Sequence, residues 1–421
     1  MLKGIDRKVA LSGMLGNGLE WYDYALYGHM SLTFAKLFFP MADQSRSLIF
    51  TFLTFAAGFL ARPLGAVLFG KLGDSFGRKK ALVASMILMA IPTCGIGLLP
   101  TYSQIGIAAP LLLLSIRILQ GLSLGGAFSG SMSYVVEHAP QDRRATAGSL
   151  TIFSLVIGFL VGSMVSSGVA SSMSDASFQS WGWRVPFIVG VLIGFVGYWI
   201  RNHGEESPVY LSARDAGNIS EHPVKEAVIG QWPRMVQGFA IYMFVTVPFY
   251  LTAIYLIAYS KAHLGLTQPE ALRINSLAML GMLIPLLPAA ILADRIGRKK
   301  VLVGALIAVL ILIYPLFRTM QDGVFLHVAI AQFILAFVLA WYLSPIPAIL
   351  VELFPTRVRY TGMALSYNFC AILGGLAPSM AESLIRETGS NISIIYLFIG
   401  SAAISLAALV TYKDKWREPL T

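Results

Sequence analysis

Glu20, Asp23, Arg62 and Arg117 are charged residues set within sequence that is otherwise apolar. A charge at the centre of a bilayer costs roughly 3 kcal/mol even on lenient scales, so such residues are usually functional. The two carboxylates and two guanidiniums nearly cancel. A carboxylate beside an arginine suits proton coupling, because movement of the arginine or arrival of a substrate changes the carboxylate's hold on its proton. Asp23 with Arg117 is the expected coupling pair, as against a permanent structural salt bridge. Glu20 is either a second coupling group or a brace for its own helix. Arg62, immediately before Pro63, is either a substrate contact or a structural charge.

Polar and aromatic residues accompany these charges. Asn17, Trp21, Tyr24 and Tyr27 surround the first pair, and residues 20, 23, 24 and 27 are spaced to share one helical face. Gln120 follows Arg117. The second half of the chain offers Trp341, Tyr342, Tyr367 and Asn368, with Pro345 and Pro347 where a helix would bend. These residues form a candidate binding site for a small molecule. Arg117 or Arg62 would hold a carboxylate in bidentate fashion. Trp21, Tyr24, Trp341 and Tyr342 would face a cationic nitrogen. The pattern favours a zwitterion such as proline or a betaine. The alternative is a dicarboxylate or tricarboxylate. A dicarboxylate would bind if Asp23 and Glu20 took up protons on loading and released both arginines. A tricarboxylate would want a surplus of positive charge.

Other chemistries find no residues. The histidines form no metal-ligand set, no G-x-x-x-x-G-K-[ST] loop is present for nucleotide binding, and no catalytic constellation stands out. No cofactor and no enzymatic activity are expected. Cys94 and Cys370 both lie in apolar stretches and read as small core residues.

The elements that position these residues follow from composition. Of 421 residues, 56% are hydrophobic and 12% charged, against about 45–50% and 25% in soluble domains. A bilayer tolerates that excess. A spanning helix needs about 20 mostly apolar residues, and barrel strands would alternate over about 10. The apolar runs predict an all-α membrane protein with twelve transmembrane helices, near 10–38, 48–71, 81–100, 109–137, 145–172, 184–201, 233–262, 271–293, 301–318, 325–352, 359–386 and 391–412. The first run is too long, and carries Glu20 and Asp23, so it is no cleavable signal peptide. The polar stretch 202–232 reads as a linker between two pseudo-symmetric six-helix halves, 1–201 and 233–421.

The net charge of +10 is spread in short basic clusters between apolar runs, which argues against nucleic-acid binding. Placing those clusters inside the cell puts both termini of a multi-pass membrane protein in the cytoplasm. The lipid bilayer, a small substrate and a proton are the expected partners, and a monomer the expected working unit.

An internal repeat supports two halves. GKLGDSFGRKK at 70–80 is echoed by LADRIGRKK at 292–300, and VVEHAPQDRRAT at 135–146 by LVELFPTRVRYT at 350–361. Asp74 and Arg78 match Asp294 and Arg298. Glu137 and Arg144 match Glu352 and Arg359 at a constant offset. Each Asp is placed to pair with an Arg or to cap a neighbouring helix. The eight residues form a candidate conformational latch, as against a basic loop that serves topology alone. Gly121, Gly125, Gly126 and Gly130 would allow close helix approach.

At these residues the chain resembles the major facilitator superfamily, and within it the metabolite–proton symporter family, which includes proline/betaine and dicarboxylate transporters. The resemblance is carried by GNGLEWYDYALYG (16–28), RPLGAVLFGKLGDSFGRKK (62–80), RILQGLSLGG (117–126), WGWRVPF (181–187), ESPVY (206–210) and ELFPTRVRYTG (352–362). It implies proton-coupled uptake by alternating access. Asp23 and Arg117 match the charged pair of helices 1 and 4 in related sugar porters. The family usually has Glu where this chain has Ala127. The stretch after residue 412 is too short for the coiled coil of osmosensing members, so gating through that element is not expected. Two functions of other classes remain to be weighed. A transporter-like nutrient receptor would keep a large cytoplasmic domain, and a channel would not need paired motifs at the ends of both halves. Counterflow of labelled substrate separates a carrier from both.

Overall fold

A computed structural model describes residues 7–76, 78–190, 223–355 and 359–420. Among these the protein is helical throughout. α1 runs Arg7–His29, turns at Met30 and resumes as Ser31–Phe38. α2 is Gln44–Phe76, α3 Arg78–Leu98, α4 Ala108–Glu137 and α5 Arg144–Ser171. Of α6, the part 185–190 is described. α7 comprises Trp232–Tyr250, a π-helical turn Leu251–Tyr255, and Leu256–Ala262. α8 is Gln268–Ile296 and α9 Arg298–Met320. α10 is Phe325–Leu343 followed by Ile346–Leu353. α11 is Arg359–Thr388 and α12 Ile395–Thr411. Eight helices among the described residues are long and apolar enough to cross a membrane.

These elements follow the apolar runs with small differences. α2 begins earlier and ends later than hydropathy predicts, because its polar ends continue the backbone ladder beyond the apolar stretch. The expected linker falls mostly outside the described residues, but its end, Pro223–Gly230, is helical.

Proline and glycine shape the bundle where the site will sit. Pro248 removes a backbone donor inside α7, and the π-helical turn follows it. Carbonyls loosened by the wider turn are taken up from α8, since Asn275 Nδ2 donates to Thr252 O at 3.4 Å and Ala253 O at 3.1 Å. α10 breaks at Ser344 and Pro345, as the proline pair leads one to expect. Between α2 and α4 the backbones touch. A Cβ on Gly121 would stand 1.8 Å from Gly58 O, one on Gly65 1.9 Å from Leu122 O, and one on Gly125 2.1 Å from Arg62 O. Only glycine permits that approach, and it brings Arg62 and Arg117 side by side.

α1–α6 and α7–α12 correspond to the two halves expected from the repeat, and they touch chiefly along α5 against α8 and α2 against α11. The end of the bundle carrying the α2–α3 and α8–α9 turns is called the basic end below. At the second of these turns Gly297 adopts φ 101°, a conformation that favours glycine.

Candidate functional site

α1 delivers its polar residues to a buried centre, but not as one face. Tyr24 and Tyr27 turn toward α2 and α4. Asp23, one residue and about 100° away, turns toward α3 and α6. It stands 2.8 Å from where a Cβ on Gly190 would be, with the Thr93 hydroxyl as its polar neighbour. Asp23 is 5% exposed, and its Oδ1 finds no hydrogen-bond partner among the described residues.

Arg117 is wholly buried. Its guanidinium carbon lies 4.3 Å from the Tyr24 ring centre, 4.6 Å from Tyr27 and 5.1 Å from Phe55. Each such contact stabilises the cation by about 0.5–2 kcal/mol. Nη1 donates to Gln120 Oε1 at 2.6 Å, and Gln120 Nε2 donates to Thr93 Oγ1 at 2.7 Å. The expected direct pair between Asp23 and Arg117 is therefore absent. A chain through Gln120 and Thr93 connects them instead, because α1 presents Asp23 and the aromatic residues to different neighbours.

Arg62 is equally buried. It stacks on Trp21 at 5.6 Å, Phe59 at 5.2 Å and Tyr367 at 4.9 Å, and Nη2 donates to the Tyr367 hydroxyl. That bond joins α2 to α11, and so one half to the other. Nε and Nη1 of Arg62, and Nε and Nη2 of Arg117, meet no acceptor among the described residues. Neither guanidinium forms an ion pair with a described carboxylate. A small central void lies beside Arg62, lined by Trp21, Tyr242, Phe249, Tyr250 and Tyr367 among others. Glu20 is buried in the same region, on the Tyr367 side.

Other expected contributors lie elsewhere. Asn17 braces α1 to α5, with Nδ2 donating to Thr151 O and Ser154 Oγ, each at 2.9 Å, while Oδ1 accepts from Trp21 Nε1 at 3.0 Å. It orients Trp21 and does not reach the void. Tyr342 donates to Ile241 O at 2.8 Å, and Trp341 packs against Ala145, Ala290, Ala293 and Ala348 near the basic end. Neither lines the void, although the adjoining Leu343 does. Asn368 donates to Gly125 O at 2.9 Å, a further link from α11 to α4. Phe55, Phe59 and Thr93 were not singled out by sequence. Two phenylalanines and a threonine on apolar helices carry no signal until the arginines they face are known.

The latch residues meet across the two halves at the basic end. Asp294 Oδ1 accepts from Ala145 N at 3.0 Å, and Oδ2 accepts from Thr146 N at 2.8 Å and Thr146 Oγ1 at 2.7 Å. It thus caps the N-terminus of α5 from the other half. Glu137 pairs with Arg359 at 2.9 Å, and the repeat-related Glu352 pairs with Arg144 at 3.4 Å. Arg298 joins Glu352 at 2.9 Å and Asp294 at 3.4 Å. The side chains of Asp74 and Arg78, like that of Ala127, lie outside the described set.

The opposite end is closed as well. Arg386 on α11 pairs with Asp43 before α2 at 3.2 Å. Gln268 donates to His29 O at 3.2 Å, and Ser163 to Leu272 O at 2.9 Å.

Charges buried at the centre of a helical bundle, with polar contacts bridging its two sets of helices at both ends, form an arrangement suited to transport. Residues 9–222 match the family described as sugar (and other) transporters, and residues 238–419 match the major facilitator superfamily. The chain belongs to the major facilitator superfamily, and is a multi-pass membrane transporter rather than an enzyme. The proline/betaine transporter of Escherichia coli is 31% identical over 98% of this chain and 85% of its own length. The glycine betaine/proline/ectoine/pipecolic acid transporter OusA of Dickeya dadantii is 31% identical over 98% and 84%. The inner membrane metabolite transport protein YhjE of E. coli is 34% identical over 97% and 94%. Among solved structures, the proton:xylose symporter XylE bound to a bromo-deoxyglucose superposes with a TM-score of 0.77 at 18% identity, covering 98% of this chain and 97% of that one. At that identity the likeness concerns the fold.

Proposed function

We propose that this protein imports a small zwitterion such as proline or a betaine together with a proton, by alternating access across the bacterial inner membrane. The basic end and both termini face the cytoplasm, and the monomer is the working unit. The observation that carries this reading is a void walled by Trp21, Tyr242, Tyr250 and Tyr367, with Arg62 over two of those rings and a second buried guanidinium, Arg117, nearby, each keeping N–H groups that meet no acceptor among the described residues. Isolated buried cations are costly by several kcal/mol, and a substrate carboxylate is the group that would offset that cost. The aromatic wall suits the ammonium end of the same molecule. The names of the relatives, proline/betaine transporters, agree with this chemistry.

Coupling follows the chain Arg117–Gln120–Thr93 to Asp23. A carboxylate drawing on Arg117 disturbs Gln120 and Thr93, and so alters the surroundings in which Asp23 holds its proton. Glu20, on the Tyr367 side, is the second candidate for that role.

A dicarboxylate is the second reading, and it is favoured because neither Arg62 nor Arg117 forms an ion pair with a described carboxylate. Competition against labelled proline uptake in proteoliposomes decides between the two. Proline and glycine betaine should compete while 2-oxoglutarate should not. Strong inhibition by dicarboxylates alone, with no effect of either zwitterion, would reject the first reading. Counterflow of labelled proline, driven by internal unlabelled proline, tests carriage itself against a receptor or channel.

A further inference from the structure

The stretch after α12, residues 412–420, has no part in the central site, yet it is bound to both halves. Its first residues are seated on the α8–α9 turn of its own half. Lys299 Nζ donates to Val410 O at 3.2 Å and to Tyr412 O at 3.1 Å, which satisfies carbonyls at the end of α12. Asp414 Oδ2 accepts from Lys299 N at 2.9 Å and so takes up a free donor at the start of α9. A Cβ on Gly297 would stand 3.0 Å from Asp414 Oδ2 and 3.2 Å from Trp416 Nε1. The side chain that this glycine lacks is the room the stretch occupies. Tyr412 is buried, and Leu420 packs on the core.

Beyond Asp414 the chain turns, with Glu418 N donating to Lys415 O at 2.8 Å, and its carbonyls reach the other half. Gln141 Nε2 donates to Arg417 O at 2.5 Å, and Arg144 Nη1 donates to Glu418 O at 2.8 Å. Gln141 and Arg144 stand at the entry to α5, the helix start that Asp294 caps. The stretch therefore runs from α9 to α5 over the closed basic end.

We propose that residues 412–420 form a strap that holds the basic end closed, anchored on the second half through Lys299 and Asp414 and clipped to the first half through Gln141 and Arg144. Opening of that end draws the start of α5 away from α8. The anchor lies within one half and survives the movement. The clip lies between halves and must break with it. Contacts made in one state and lost in the other bias the equilibrium toward the first. Both acceptors of the clip are main-chain carbonyls, so the strap acts through its path and not through the side chains of Arg417 and Glu418. Arg144 also pairs with Glu352, and so belongs to the latch as well. Gln141 has no latch partner among the described residues, which makes it the clean probe of the strap. A stretch that only covers the surface could be removed without disturbing the balance.

The test measures opening of the basic end in detergent, without substrate, where reagent reaches both ends. Ser149→Cys, with Cys94 and Cys370 replaced by alanine, places a thiol one turn beyond Ala145 on the same side of α5. Ala145 packs there against Ala290 and Ala293 of the other half, and Ser149 is wholly buried while the end is closed. The rate of its reaction with a maleimide follows the open fraction. Gln141→Ala should raise that rate by about three- to tenfold, the worth of one hydrogen bond. Removal of residues 417–421 should raise it at least as much, and Gln141→Ala should then add nothing. Arg417→Ala, which keeps the carbonyl, should leave the rate as it was. Gln141 is exposed, so its replacement tests the strap even if the shortened protein does not fold. Equal rates in the parent and in Gln141→Ala would overturn the proposal. So would a Gln141→Ala effect that persists in full once the strap is gone. The proposal rests on alternating access and not on the substrate. Failure to accumulate labelled proline would reject the substrate reading and leave the strap standing.

Discussion

At the scale of single residues, the centre of this transporter is organised by which way each side chain leaves α1. Tyr24 and Tyr27 hold the Arg117 cation, while Asp23 is turned to α3 and α6 and, among the described residues, is connected to Arg117 through Thr93 and Gln120. Asp23→Asn keeps the volume and removes the titration. It should abolish pH-driven accumulation of proline in proteoliposomes while sparing exchange. Unchanged accumulation under a gradient would show that coupling lies elsewhere. The identities of the central residues were legible in the sequence because ionisable groups in an apolar run have few bland explanations. Their pairing was not. A spacing of three and four places residues on one broad face, but that face spans enough arc for neighbours to serve different helices. Asn17, Trp341 and Tyr342 looked like lining for the same reason, and turned out to brace or pack. Glu382 was passed over although it carries the same signal as Glu20, an acid within an apolar span. Its partners Tyr255 and His263 lie more than a hundred positions away in the chain, and nothing local announces them.

At the scale of helices, two kinds of contact set what can move. α2 and α4 are fused by glycines whose Cα atoms press on opposing backbone. Gly121→Ala would force its Cβ into the carbonyl of Gly58. Overpacking of this kind typically costs about 1–3 kcal/mol, and here it also spreads Arg62 from Arg117. Thermal unfolding in detergent should shift downward, and proline binding should weaken with it. A variant with unchanged melting would mean that the two backbones have more room than the structure shows. The contact of Asp294 with the start of α5 is of the other kind, polar and breakable. Asp294→Asn keeps one acceptor but loses the charge that meets the helix N-terminus and Arg298. It should tilt the balance toward opening at the basic end by about 1–3 kcal/mol, measured as increased labelling of a cysteine introduced behind the latch. Equal labelling of variant and parent would reduce the motif to a topology signal. The contacts at the basic end were the easiest to anticipate, since four residues of the first repeat recur in order in the second, although the side chains of Asp74 and Arg78 lie outside the described set. Crosswise pairing of Glu137 with Arg359 and Glu352 with Arg144 is what a two-fold relation between halves produces.

At the scale of the whole molecule, hydropathy gave the number and order of spans because lipid imposes length and composition on every helix at once. It could not give the short turn of π-helix in α7 or the helix at 223–230, which depend on neighbours rather than on lipid. Orientation can be checked directly. In a background without native cysteines, Ser390→Cys should react with a membrane-impermeant maleimide in intact cells, and Asp142→Cys only after the membrane is opened. Both positions are exposed, at opposite ends of the bundle. The reverse pattern would place the basic end outside and the proposed direction of transport with it.

α7 differs from the other spans in how little of it lipid can touch. Within its most apolar window 94% of residues are buried in protein, against 44% for α9. Its coverage comes from α8, α11 and α12, all made after it, as well as from the first half. During synthesis α7 therefore enters the bilayer before most of its packing surface exists. It must wait there with the hydroxyls of Tyr242, Tyr250 and Tyr255, and the backbone loosened around its π-helical turn, facing lipid or the insertion machinery. Alleles that truncate the chain ahead of α11 should consequently be cleared by membrane quality control rather than persist as stable halves, and lesions in α11 should harm biogenesis before they harm transport.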